Sequence, residues 1–435
     1  MTGLIARVSM IGLFLLACSP VPGSGQRAPE VKQGNDLVVG VPIAMTGNVA
    51  AEAAQAKQGY DLWLDWVNHS GGIVVNNVRH PVRLLYEDDA SQAQVAAQVA
   101  EKMVSQEGAK FLLGPYGSTD SAAVAAVAEK HHLPAVLSNA AARQIFEQGY
   151  RYSFGVLAPA DQYPRGVIDM ALAMDPKPST VAILTADDAF SLLVAKGAGD
   201  YATAKGMKVI YTARYPSGTT NLYSLLEQAK AKQPDLLVNS GHLLEAIAVH
   251  KQAKDLRLDA KMFVYAVGPD TPEFISMLQS DANYVVTGSP WTAQARYKAS
   301  YYLSSADYVA AYRKKFGPTE PTYATADATA AAIALQLAIE HARSLDPDRV
   351  RDALATLDVN TFYGRIKFDD HGQNIYRSML VEQIQNGQRQ TVWPPEVATA
   401  SPQYPTPTWA IRSNLPSEPP KASMPSTGRP QSAGR

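Results

Sequence analysis

Short apolar runs alternate with longer amphipathic stretches almost from end to end of the chain. The run Leu37-Val38-Val39-Gly40-Val41-Pro42-Ile43 has the make-up of a strand, and a helix is expected over about 52–67. That helix should stop where Gly71-Gly72 offers a flexible exit. The rhythm continues with a strand at 82–86, a helix at 92–105, a strand at 110–114, an Ala-rich helix at 121–130 and a strand at 134–138. A second series opens after Gly155, with strands at 181–185, 209–212, 236–239, 262–266 and 284–287. Helices such as 222–231 and 244–254 fill its gaps. Strand-then-helix order predicts an α/β fold with parallel sheets covered on both faces, and two such series predict two Rossmann-like lobes. A helical region at 307–357 and late strands at 364–368 and 379–384 must pack back onto one lobe or the other, and pattern alone does not say which.

The two ends depart from this rhythm. Val8 to Ala17 is almost wholly apolar and follows a short segment with one positive charge. It is too short for a bilayer span of about 20 residues but suits a signal-peptide core. It ends in Leu15-Leu16-Ala17-Cys18, which resembles a bacterial lipobox whose thiol carries diacylglycerol. Cys18 is the only cysteine in 435 residues, so no disulfide or cysteine-based metal site is available. Residues 19–35, rich in Pro, Gly and Gln, read as a flexible tether from that anchor. From Pro394 onward the chain is crowded with Pro and Ser, with an extended surface course expected up to Trp409 and disorder beyond Arg412. The balance of 39 Lys+Arg against 40 Asp+Glu gives no basic footprint for a nucleic-acid partner.

No constellation for catalysis stands out. There is no Gly-x-Ser-x-Gly elbow and no phosphate loop. Gly197 to Ala202 formally fits a dinucleotide fingerprint but sits inside a helix-like run, well past its strand. His131-His132 reads as a helix exit rather than a metal site, because adjacent helical residues point apart. Glu87-Asp88-Asp89 reads as loop hydrogen bonding and helix capping rather than a cation site. The stronger signal is an anion cradle. Pro115-Tyr116-Gly117-Ser118-Thr119-Asp120-Ser121 opens a helix straight after a strand, and Ser138-Asn139-Ala140-Ala141-Ala142 is a second small-residue loop at the same sheet edge. Open N–H groups at a helix start favour a carboxylate.

The segments 40–47 (GVPIAMTG), 68–73 (NHSGGI) and 86–89 (YEDD) resemble the opening of the leucine/isoleucine/valine-binding proteins, the periplasmic components of branched-chain amino acid ABC transporters. The resemblance continues through Asp187-Asp188-Ala189-Phe190, Gly241-His242 and 363–368 (YGRIKF), and from Val392 to Trp409 it is to a longer, Pro-tailed subgroup. It implies a type I periplasmic-binding-protein fold with two lobes, three crossovers and a ligand trapped by hinge closure. The implied layout is a lipoprotein signal peptide at 1–18, a tether at 19–35, a first lobe at 36–157 with 290–362, a second at 158–289 with 363–395, and a tail at 396–435. The crossovers are placed near Gly155, near 288–291 and near 363–368. The implied partners are a small-molecule ligand, ABC permease subunits and, through Cys18, the membrane. The protein is expected to be a periplasmic or extracytoplasmic monomer with no cofactor, no metal and no catalysis.

For the ligand, the resemblance carries over Ser118 and Ala140 as matching carboxylate-binding positions, with Ala142 where a Thr normally stands. Tyr116 and Thr119 flank Ser118 and join the candidate set. Val267 stands where a Glu normally pairs with the ligand amine, and Glu52 replaces a first-lobe aromatic residue. Phe190 and His242 fall where tyrosines usually sit. Either Glu52 supplies the missing charge or the ligand lacks an α-amine, because a buried ammonium without an acid is costly; Asp187 and Asp188 are further candidates for that charge, although both look like loop-structuring residues. A ligand-sensing module of a signalling system using the same cleft, and an exported α/β enzyme, are the alternative readings.

Overall fold

In the computed structural model, residues 32–412 are described except 298, 300–302 and 377–378. The segment expected to be a signal peptide, with Cys18, and the tail beyond Arg412 lie outside the described residues. The first apolar run forms β1 (Leu37–Ile43), almost wholly buried. It pairs in parallel with β2 (Val82–Asp88) on one side and β3 (Phe111–Leu113) on the other. With β4 (Ala135–Leu137) and β5 (Ser153–Gly155) the sheet has five strands in the order β2-β1-β3-β4-β5, all parallel. A strand buried on both faces shows no polar alternation, which is why β1 reads as a continuous apolar run.

The helices of this lobe are α1 (Ala50–His69), α2 (Ala93–Ser105) and α3 (Ser118–Lys130). Helix α1 ends as its glycines suggest. Gly71 and Gly72 take φ of 87° and 95°, and their N–H groups donate to Asn68 and Val67 carbonyls at 2.9 Å. Ahead of β1, Lys32–Gln33 pairs with Val78 and Arg79, so the last residues expected in the tether are docked on the first lobe.

The second sheet contains β6 (Thr180–Ala186), β7 (Lys208–Tyr215), β8 (Leu236–Ser240), β9 (Met262–Tyr265), β10 (Val286–Ser289), β11 (Leu380–Gln385) and β12 (Gln388–Trp393). Their order is β7-β6-β8-β9-β10-β11-β12, parallel up to β10 and antiparallel for the last two strands. Around it pack α4 (Tyr163–Leu172), α5 (Ala189–Ala204), α6 (Tyr223–Ala231), α7 (Leu243–Asp255) and α8 (Pro272–Leu278).

After β10 the chain returns to the first lobe as α9 (Ser305–Phe316), α10 (Tyr323–Ala342) and α11 (Pro347–Ala355). The Ala-rich α10 is nearly all buried and lies against α1 so closely that a Cβ on Gly59 would sit 2.1 Å from Thr325 O. The Trp63 indole N–H donates to Gln336 Oε1 at 2.9 Å across the same seam. The chain therefore passes between lobes after β5, after β10 and before β11.

Two expected boundaries move. The third crossover was placed at 363–368, but the hairpin Asp358–Thr361/Gly364–Lys367 stays in the first-lobe core, with Phe362, Tyr363, Ile366 and Phe368 buried there. The crossing falls later, where Gln373 bridges to Gly155 and brings the first and third crossovers together. The tail, in turn, is held against the second lobe up to residue 412. Gln383 and Gln385 of β11 donate to the Gln403 and Ser401 carbonyls, and the buried Trp409 donates to Leu258 O at 2.7 Å. Among the described residues, no helix is long and apolar enough to cross a membrane.

Candidate functional site

The carboxyl ends of β3 and β4 face those of β6, β8 and β9 across the cleft, which is where open α/β sheets place ligands. On the first lobe the two small-residue loops lie side by side, joined by a bridge between Tyr116 and Asn139. Gly117, at φ 92°, caps α3 and lets the chain turn into it. Ser118 opens the helix, and its Oγ accepts the N–H groups of Ala141 and Ala142, both at 3.1 Å. With its lone pairs spent, the hydroxyl keeps its proton to donate. The first-turn N–H groups of α3 have no intrahelical acceptor and carry the positive end of the helix dipole. Behind this cradle the Tyr60 hydroxyl lies 2.8 Å from both Gly114 O and Ser138 Oγ.

A chain of rings crosses from one lobe to the other. The Tyr323 and Tyr116 phenols are hydrogen-bonded, and burial holds both well above the ordinary tyrosine range. Tyr116 meets the edge of His242 at 6.3 Å between centroids, His242 meets Phe190 at 5.9 Å, and Phe190 meets Tyr163 edge-on at 5.4 Å. Together with Gly117, Ser118, Asn139 and Leu157, these rings enclose about 10 Å³, the space of one water. The lobes are thus shut on one another, and any solute larger than water enters only when they part.

The charged groups around this space are all buried. His242 Nε2 lies 3.4 Å from Asp188 Oδ2. Burial alone would push the imidazole down, but Asp188, followed by Glu52 and Glu245, outweighs it and lifts His242 to about 9. Asp188 also caps α5, accepting from Ser191 N at 2.9 Å and Ser191 Oγ at 2.7 Å. Burial would raise it, yet His242 and these donors bring it far below the usual carboxylate range. Glu52 Oε1 accepts the Leu243 N–H at 2.9 Å from the opposite lobe, and burial raises its carboxyl. Asp270, 3% exposed on the loop after β9, accepts from Gly268 N at 3.3 Å and is likewise raised by burial. Asp270 bears on Glu52, Tyr116 and Tyr323 through its charge.

Tyr116, Ser118, Phe190 and His242 therefore come together at one cavity, with Glu52 beside it. Thr119 does not join them; it is exposed on the outer side of α3. Ala140 and Ala142 are buried in the packing beneath the loop, and the Ala142 N–H is taken by Ser118 rather than left for a ligand. Val267 packs under the aromatic wall with Phe190 and Tyr163. Three residues on, Asp270 is a buried second-lobe acid, although it is not among the residues that line the cavity. Tyr163, Tyr323, Leu157 and Asn139 also line the cavity without having been singled out. Both tyrosines are the first residues of helices, Tyr163 of α4 and Tyr323 of α10.

The other sequence features resolve into structure. Asp88 accepts from Met45 N, Thr46 N and Ala90 N, as a loop-organising carboxylate does. His131 pairs with Glu101, His132 stacks on Tyr152, and Gly197 to Ala202 lies within α5. Asp187 faces outward to Arg214. No group of His, Cys, Asp and Glu suited to a metal occurs among the described residues.

This geometry has relatives. The family model for periplasmic binding proteins matches residues 36–389. A Leu/Ile/Val-binding protein homolog 8 of Brucella abortus is 24% identical over 393 residues, covering 85% of this chain and 93% of that protein. Among solved structures, a leucine-binding protein of Thermotoga maritima superposes with a TM-score of 0.72 at 22% identity, covering 82% of this chain and 97% of that one. A Rhodopseudomonas palustris solute-binding protein in complex with benzoate gives 0.70 at 16% identity, covering 82% and 95%. The chain belongs to the periplasmic binding protein family, as a bilobed extracytoplasmic protein related to the Leu/Ile/Val-binding proteins that binds a small solute rather than transforming it.

Proposed function

We propose that the solute is a small organic carboxylate, in first place an α-amino acid with an apolar or aromatic side chain. Family membership makes the chain the extracytoplasmic ligand-binding component of an ABC-type importer, with the permease as its membrane partner. The observation that carries the ligand reading is Ser118, 2% exposed at the start of α3, lining the cavity with a proton left to donate. A carboxylate on this helix start gains the Ser118 hydroxyl, the first-turn N–H groups and the dipole together. On the second lobe, Asp270 is a buried acid with little of its charge matched, since its nearby cation, Arg389, is occupied by Glu320 and Pro321 carbonyls. A ligand ammonium supplies the missing counter-charge. The rings of Tyr163, Phe190 and Tyr323, with Leu157, suit an apolar remainder.

A second reading rests on His242. A charged imidazole in the second-lobe wall favours a ligand with no amine, and solved relatives hold benzoate and 4-hydroxybenzoate. The two readings separate in a thermal-shift panel of amino acids, aromatic acids, short amides and dicarboxylates on refolded protein. A ligand at a hundred times its dissociation constant adds about 2.7 kcal/mol. The amino-acid reading expects a response to α-amino acids that falls about tenfold or more in affinity in Asp270→Asn. A response confined to acids without an amine, indifferent to that change, selects the second reading.

The remaining expectations belong here as proposals. Lipidation of Cys18 tethers the first lobe to a membrane, monomeric docking on the permease delivers the solute, and residues up to 412 follow the Pro-tailed subgroup. Permease and ATPase genes found beside this one would favour import over a sensing role for the same cleft.

A further inference from the structure

The segment 48–52, at the start of α1, reaches across the cleft in three ways. Asn48 Nδ2 donates to Ser217 Oγ at 3.3 Å, Ala51 packs against the second-lobe core, and Glu52 Oε1 accepts the Leu243 N–H at 2.9 Å. Leu243 is the first residue of the 13-residue α7, and the second lobe leaves its N–H without an acceptor of its own. Glu245 is already engaged, taking the N–H groups of Gly218 at 2.7 Å and His242 at 3.2 Å. Glu52 also sits in the first turn of α1, whose start has no side-chain cap. One carboxylate thus lies between two helix N-termini, one from each lobe. Each dipole attracts it, and only closure brings the second within reach.

We propose that Glu52 is a positioning residue for solute capture: it caps α7 from the opposite lobe and latches the lobes shut by a bond to which the solute contributes nothing. The charged and ionisable groups facing it are His242 and Asp270 of the second lobe and Tyr116 of the first. None of them takes the Leu243 N–H. Parting the lobes leaves Glu52 with its own helix and returns the Leu243 amide to water. The latch therefore raises the closed population of the ligand-free protein and slows solute release from the closed form.

The test needs no ligand, so it stands apart from the choice between amino acids and amine-free acids. Small-angle X-ray scattering is recorded on full-chain protein unfolded and refolded to strip any bound solute. Wild type is expected to populate the closed form, and Glu52→Ala to lower the closed-to-open ratio about tenfold or more, the size of one charge-assisted hydrogen bond. Glu52→Gln keeps an acceptor oxygen and should restore part of the closure. Leu243→Pro removes the donor at a helix position that tolerates proline and should behave like Glu52→Ala without altering the carboxylate. Indistinguishable scattering from wild type and Glu52→Ala overturns the latch. So does a Glu52→Ala variant that closes normally but loses affinity for α-amino acids alone, which makes Glu52 a ligand contact.

Discussion

His242 is the residue at which chemistry most clearly departs from an ordinary aromatic wall. Its imidazole is raised to about 9 because Asp188, then Glu52 and Glu245, outweigh the effect of burial. A group raised in the folded protein contributes stability that is complete below its unfolded value and fades as pH climbs through the folded one. Stability is therefore expected to fall between about 6.5 and about 9. Urea midpoints measured across that range should show the decline in wild type and a flatter profile in His242→Gln; equal slopes contradict the assignment. The sequence reached Tyr116 and Ser118 through a small-residue segment that opens a helix straight after a strand, and Phe190 and His242 through the resemblance. It did not single out Asp270, the acid proposed to meet a ligand amine, because an acid was sought at Val267. The burial of a loop aspartate such as Asp270 is not written in local sequence. At Ala142, where the resemblance expects a Thr, the N–H is taken up by Ser118 Oγ.

Elements were legible where a strand or helix carries its own pattern, and less so where partners decide. The continuous apolar β1 and the glycine exit of α1 were both readable, since buried parallel strands and left-handed turns leave direct marks. The destination of α9–α11 was not legible from pattern, because an Ala-rich helix such as α10 is compatible with any tight seam and Gly59 alone does not name its partner; the resemblance placed 290–362 in the first lobe, where these helices lie. The segment 396–412 is the sharpest case. Its composition suggests an extended surface course, yet it straps the second lobe. Trp409 is buried beside His250 and Phe263, bonded through its indole to Leu258 O, and covered by Arg412 at 4.1 Å. Trp409→Ala should cost about 3–5 kcal/mol if the strap stays in place, less if it peels away. Equilibrium unfolding in urea measures this, and an unchanged midpoint would mean the strap carries no stability.

At the scale of the whole molecule, two α/β lobes meet over a space of about 10 Å³, so binding and hinge motion are one process. The fold class followed from the strand–helix rhythm and the family from ordered short motifs, while the closed geometry emerged only from contacts between distant segments. The central claim is that a solute carboxylate is held on the start of α3 by Ser118. Its most direct test is calorimetric titration of the best ligand from the thermal-shift panel into wild type and into Ser118→Trp, with circular dichroism confirming the fold of both. The account predicts saturable binding to wild type and none to the variant, whose indole fills the cradle. Equal affinity in a folded Ser118→Trp protein would contradict it and place the solute elsewhere.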